Sequence, residues 1–382
     1  MDSGLVESLL DHSRPTFLFG CTPPSISTSS EKAAEIARKF AARGRVLAVD
    51  GYIVYDVQDE SVRTEEKRPF PYRELMEPSG YAKVLREASY KDCLVYKAVT
   101  CIGGRDAFSD WMDRCTRVDG HSALNIVGAP AANASRTGPS TKEASLMAAD
   151  RGVHFGAVCI AERHVSKKNE HEILFKKSSW GAQWFVTQGI YDPVPMIQVI
   201  KEYAALCKEK GIRPKKFILT FTPCGRRKTL EFIKWLGMRV PESTENRIFE
   251  EPAPPAASVD GKPARKKAVK KPVEKSCEIL CECLEKILLE TKDCNVPFGI
   301  NIESVSGYKD EIDATHDLFR SLQAILLDHT GGPWVMEWRR VPRGPVSVPG
   351  TISKLYQRDA LLTLLAGALL GGLTTGLIVS RR

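Results

Sequence analysis

Eight times along the chain, a short run of β-branched or aromatic residues is followed by a longer segment of helical period. The strand-like runs fall at 16–19, 52–57, 93–99, 123–127, 155–160, 184–187, 216–221 and 298–302. The helical segments fall at 30–42, 80–88, 107–117, 142–151, 171–179, 194–210, 228–235 and 314–327. Strands joined by crossover helices pair in parallel. Eight such units predict an α/β fold closed into a (β/α)8 TIM barrel rather than an open doubly wound sheet. Thr28-Ser-Ser-Glu31 matches a capping box ahead of the first helix, and Gly44 follows that helix where a C-terminal glycine is expected.

The pattern is interrupted between 251 and 275 by a stretch rich in Pro, Ala and Lys, too poor in large apolar groups to offset the entropy of ordering it. An extra helix at 278–290 then precedes the eighth strand, so the insertion breaks into one domain instead of joining two. The expected layout is 14–250 for the first seven units, 251–275 for a disordered basic insertion, 276–340 for barrel completion, 341–359 for a linker and 360–380 for a tail. Seven cations against Glu274 alone between Lys262 and Lys275 carry six of the formal net charge of +8. The remaining body is near neutral, which argues against a nucleic-acid footprint. The insertion reads as a solvated linker or, more sharply, as a basic patch for anionic lipid.

Eleven scattered cysteines and no cleavable apolar N-terminal segment point to a reducing, cytosol-facing compartment. Cys277, Cys281 and Cys283 come closest to ligand spacing, but with no His nearby they read as half-buried thiols, and no metal is expected.

Residues 360–379 contain no charge, and at ~1.5 Å per residue these twenty residues span ~30 Å, the hydrocarbon thickness of a bilayer. Lys354, Arg358 and Asp359 precede the run and Arg381-Arg382 follow it. The expectation is a transmembrane tail anchor with the barrel facing the cytosol, similar to those of the mitochondrial outer membrane or peroxisome. The alternative, a helix buried on the barrel, would need cover on every side. Gly367 with Gly371 and Gly372 with Gly376 permit close helix approach in lipid and leave a homo-oligomer open.

In such barrels the reactive groups stand at the C-terminal ends of the strands. Asp56, Gln58, Asp59 and Glu60 follow strand two, Glu162 and His164 follow strand five, Gln188, Tyr191 and Asp192 follow strand six, and Glu303 follows strand eight. Any one of them alone is ordinarily a cap or a loop ion pair, whereas several sets on one rim make a pocket. After strand seven, Gly225, Arg226, Arg227 and Lys228 open a helix, which suits a phosphate-bearing ligand or simply solvated cations.

Pro23-Pro24, Glu162-Arg-His164, Lys177 ahead of Gly181-Ala182, and Phe185-Val-Thr-Gln-Gly-Ile-Tyr-Asp192 together resemble motifs of the methylenetetrahydrofolate reductase family over residues 15–328. The resemblance implies an oxidoreductase acting on a one-carbon folate or related pterin, with hydride passing through FAD or directly from NAD(P)H. It places Gln188 on the pterin with Tyr191 beside it. It gives Lys177, His164, Glu170 and Tyr55 to the flavin.

The family's protonating glutamate is Gly20 here, its Arg-Gly-Asp motif reads Val127-Gly-Ala129, and the histidine of its third strand is Ala98. A missing general acid costs ~10²–10⁴-fold in rate. Glu162, Asp56 and Glu60 are the expected proton handlers, with Asp56, Asp59 or Glu60 as the substitute carboxylate. The competing expectations are a catalytically decayed, membrane-tethered barrel that binds ligand or acts as a scaffold, and a Lys-rich insertion that is itself the working part. The oxidoreductase reading requires Asp56, His164, Lys177 and Gln188 to surround one mouth.

Overall fold

The computed structural model describes residues 4–60, 64–129, 136–250 and 270–331. The strands are β1 Thr16–Cys21, β2 Gly51–Val54, β3 Cys93–Ala98, β4 Ala123–Val127, β5 His154–Cys159, β6 Trp184–Gly189, β7 Lys216–Phe221 and β8 Phe298–Ile302. They close in sequence order, and β1 pairs in parallel with both β2 and β8. Three of the eight, β4, β7 and β8, have the bounds expected from sequence, because a strand covered on both faces reads as a mostly apolar run.

The helices are α1 Leu5–Leu10, α2 Ser30–Gly44, α3 Pro78–Ser89, α4 Arg105–Asp113, α5 Thr141–Asp150, α6 Ala161–Lys167, α7 Glu170–Ser179 and α8 Pro193–Glu209. They continue with α9 Arg227–Trp235, α10 Glu242–Phe249, α11 Pro272–Thr291 and α12 Lys309–Thr330. The Ser29 hydroxyl caps α2, while Ser140 and Glu143 form a reciprocal capping box on α5. The extra helix α11 packs against α8 and α12.

Side chains alternate across each strand, so every second residue enters the barrel. Leu18, Ile53, Leu94, Ala123, Trp184, Val186 and Ile218 fill its interior. Gly156 has no side chain because Trp184 lies there: an added Cβ would stand 2.0 Å from the indole Nε1. The N-terminal end is plugged by α1, whose Leu5 and Leu9 join this cluster. Beside the plug, the buried Lys216 ammonium donates to Ser8 O at 2.5 Å, Arg14 O at 3.0 Å and Thr16 Oγ1 at 2.9 Å. Three donors thus meet three acceptors.

The insertion residues 251–269 and the tail at 360–380 lie outside the described residues. Among the described residues, no helix is long and apolar enough to cross a membrane.

Candidate functional site

The C-terminal mouth of the barrel is built around β8 and β2. Alternation along β8 puts Asn301 and Glu303 on the inner face. Asn301 Nδ2 donates to the Tyr55 hydroxyl at 2.8 Å and to Thr220 Oγ1 at 3.3 Å. The Tyr55 hydroxyl also faces the Glu303 carboxyl, and its ring meets Tyr96 edge-on with centroids 4.8 Å apart. Tyr55 and Glu303 are both half-buried, as are Val127, Val158 and Ile160 on the opposite wall. Burial pushes the Glu303 carboxyl up to about 7 and raises the Tyr55 phenol well above its ordinary value. A carboxyl poised there exchanges a proton near neutrality, as a general acid or base requires.

This arrangement explains Gly20. A Cβ at that position would lie 2.9 Å from Tyr55 Cε2, 3.1 Å from its hydroxyl and 3.2 Å from Asn301 Oδ1. The Tyr55 ring occupies the space a side chain from β1 would need, and the carboxylate enters from β8 instead. Gly20→Glu is therefore expected to destabilise the barrel by about 1–3 kcal/mol, the usual cost of overpacking, instead of restoring an acid. Denaturant unfolding of the variant measures this, and an unchanged midpoint would mean that the Tyr55 ring moves aside freely.

A roof covers the mouth. After β2 the chain runs to α3 through a long loop whose residues pair with the β1 connection, Met76 N donating to Pro24 O at 2.8 Å and Ile26 N to Glu74 O at 3.0 Å. The same loop lays Arg68 over Phe232 and Trp235 of α9, 4.9 and 5.4 Å from their ring centres. Phe70 meets Phe232 edge-on at 5.2 Å, and Trp235 Nε1 donates to Glu66 O at 3.0 Å. Glu60 and Asp59 supply negative charge to Arg68, so Glu60 belongs to this roof.

Three other expected residues stand at the strand ends. Asp56 accepts from Ala98 N at 2.8 Å and from Gln58 Nε2 at 2.6 Å, with Lys97 Nζ 3.6 Å away. Glu162 sits in the first turn of α6 with its carboxyl raised, first by burial and further by Asp192 and Glu170. Gln188 lies where β6 slips register against β7, and its Nε2 donates to Leu236 O at 2.6 Å, just beyond α9.

The remaining expected residues are held in the layer between strands and helices. Glu170 accepts from Ile160 N at 3.0 Å and Lys177 donates to Val158 O at 2.6 Å, so α7 clamps β5 with an anion and a cation two turns apart. Burial also draws the Lys177 ammonium down from its usual value. His164 is wholly buried among α6, α7 and α8, 3.2 Å from Glu202. Tyr191 points away from the mouth, donating to Thr222 O at 2.6 Å beneath α11. The structure therefore does not gather Asp56, His164, Lys177 and Gln188 around one opening.

The cationic segment after β7 is likewise spoken for by the chain itself. Gly225 N and Thr229 Oγ1 donate to the buried Glu311 carboxylate at 2.6 and 2.9 Å, and Arg226 pairs with Asp310 at 2.5 Å. A carboxylate of this protein fills the anion position at the start of α9. Cys277, Cys281 and Cys283 are buried on α11, and their thiols are pushed up by burial.

No family model and no curated protein matches this chain. Among solved structures it is similar to an uncharacterized protein from Clostridium thermocellum described as binding two copies of 5-methyl-5,6,7,8-tetrahydrofolic acid. The identity is 26%, the TM-score 0.67, and the match covers 84% of this chain and 99% of that one. Weaker similarity extends to a GH113 β-1,4-mannanase at 11% identity, 81% of this chain and 99% of that one, with a TM-score of 0.44. A dihydropteroate synthase from Xanthomonas albilineans follows at 14% identity, 84% and 96% coverage, with a TM-score of 0.38. The chain thus shares a closed TIM-barrel fold with a folate-binding protein.

Proposed function

We propose that the barrel mouth binds a reduced folate or a related pterin, with Glu303 and Tyr55 as its polar floor. The carrying observation is the largely buried Glu303 carboxyl facing Tyr55 among aromatic and apolar walls. A pterin offers adjacent N–H donors on one edge, which suit the two oxygens of a carboxylate, and flat faces that suit Tyr55, Tyr96 and the valines. The folate-binding relative, aligned over nearly all of its length, supports the same ligand class.

Reduction of the bound folate through FAD or NAD(P)H, as in the methylenetetrahydrofolate reductases, is the finer form of the proposal. It needs a flavin held at the mouth, or hydride taken directly from the nicotinamide. Glu303 is then the group that moves the proton. The tail is proposed as the membrane anchor that its hydropathy suggests.

Thermal unfolding with added 5-methyltetrahydrofolate tests the binding. A ligand at about a hundred times its Kd stabilises the native state by ~2.7 kcal/mol, so a clear upward shift in Tm is expected. An unmoved Tm at saturating folate would refute the reading.

A further inference from the structure

We propose that His164, His171 and Glu202 form a three-ligand site for a divalent transition metal, in the layer where α6, α7 and α8 meet and apart from the barrel mouth. One side chain comes from each helix: His164 from α6, His171 from the first turn of α7 and Glu202 from the middle of α8. Glu202 Oε2 lies 3.2 Å from His164 Nε2 and 2.9 Å from His171 Nδ1, and the three ligand atoms all fall within 4.8 Å of one another. Two ligands bound to Zn²⁺ at ~2.0–2.2 Å in tetrahedral directions stand about 3.3 Å apart, close to these spacings.

Hydrogen bonding does not account for the cluster. His164 is 0% exposed, yet neither of its ring nitrogens, nor His171 Nδ1, has a hydrogen-bond partner among the described residues. The carboxylate oxygen is close to both rings but off the N–H directions. Buried polar atoms left in that state are unfavourable by ~1–3 kcal/mol each, and a cation shared by the two imidazoles and the carboxylate would satisfy the ring nitrogens that face it. Two imidazoles and one carboxylate suit Zn²⁺ or Co²⁺. Glu202 is about half exposed, which leaves the fourth position to water. A metal there would tie together the two helices that follow β5.

The test is titration of the chelator-treated full chain with Zn²⁺ and, for a visible spectrum, with Co²⁺. One ion per chain is expected, with a four-coordinate Co²⁺ spectrum lacking thiolate charge transfer. His171→Ala and Glu202→Ala should each weaken binding by at least about tenfold. Both positions are reachable from solvent, at 17% and 47% exposure, so the variants are expected to keep the wild-type circular dichroism. Absence of bound metal, a thiolate spectrum, or undiminished affinity in either variant would overturn the proposal. Folate binding plays no part in the outcome.

Discussion

Glu303→Gln is expected to stabilise the protein by about 2–3 kcal/mol at pH 8 and by under about 1 kcal/mol at pH 5. Burial lifts the carboxyl in the folded chain from 4.5 to about 7. Between those values the folded state keeps a proton that the unfolded chain has released, so stability falls as pH rises through the window. The cost is fully present above pH 7 and absent below 4.5. Glutamine keeps a hydrogen-bonding partner for Tyr55 and carries no charge, so it removes the cost without opening a cavity. Urea unfolding of both proteins at the two pH values reads the difference. Curves that keep a constant separation would mean that Glu303 does not titrate in this range.

Lys216→Met should act in the opposite direction, with a loss of about 2–4 kcal/mol. The substitution removes three hydrogen bonds and leaves Arg14 O without its donor, while Ser8 O still accepts from Thr16 Oγ1 at 2.7 Å and Thr16 Oγ1 from Ser8 Oγ at 3.1 Å. An acceptor left unpaired costs ~1–3 kcal/mol, and each further hydrogen bond lost ~0.5–1.5 kcal/mol. Burial draws the Lys216 ammonium down to about 7, so below that pH the substitution also removes a positive charge beside the Arg14–Asp50 pair. Because these contacts seat α1 in the bottom of the barrel, the loss should lower the denaturant midpoint without changing the slope. A shift under about 1 kcal/mol would show that the plug is held by Leu5 and Leu9 alone.

The barrel was legible because the strands are buried on both faces and crossover helices such as α2, α3 and α9 carry a clear apolar stripe. Short elements escaped: α1 and α6 have six and seven residues, too few for a helical period to register. Of the mouth, Glu303 was visible only as one of several rim acids. Its weight comes from Tyr55 and Asn301, which β2 and β8 bring together across β1 once the ring has closed. Gly20 was noticed as a missing carboxylate, but the reason for it is the Tyr55 ring, which no local pattern reveals. Glu170 and Lys177 looked like ligand contacts, yet a spacing of two helical turns serves equally well to grip a strand. The His164, His171 and Glu202 cluster combines two histidines with a carboxylate from a more distant helix, and only the packing of α8 on α6 and α7 assembles it.

Calorimetric titration of the full chain with 5-methyltetrahydrofolate, run beside Glu303→Gln, tests the folate-binding mouth most directly. Saturable binding is expected in the wild type, weakened about 10–100-fold by the glutamine, the worth of a charge-assisted hydrogen bond. No binding, or binding of equal strength in both proteins, would contradict the assignment of Glu303 and Tyr55 as the floor of a pterin site.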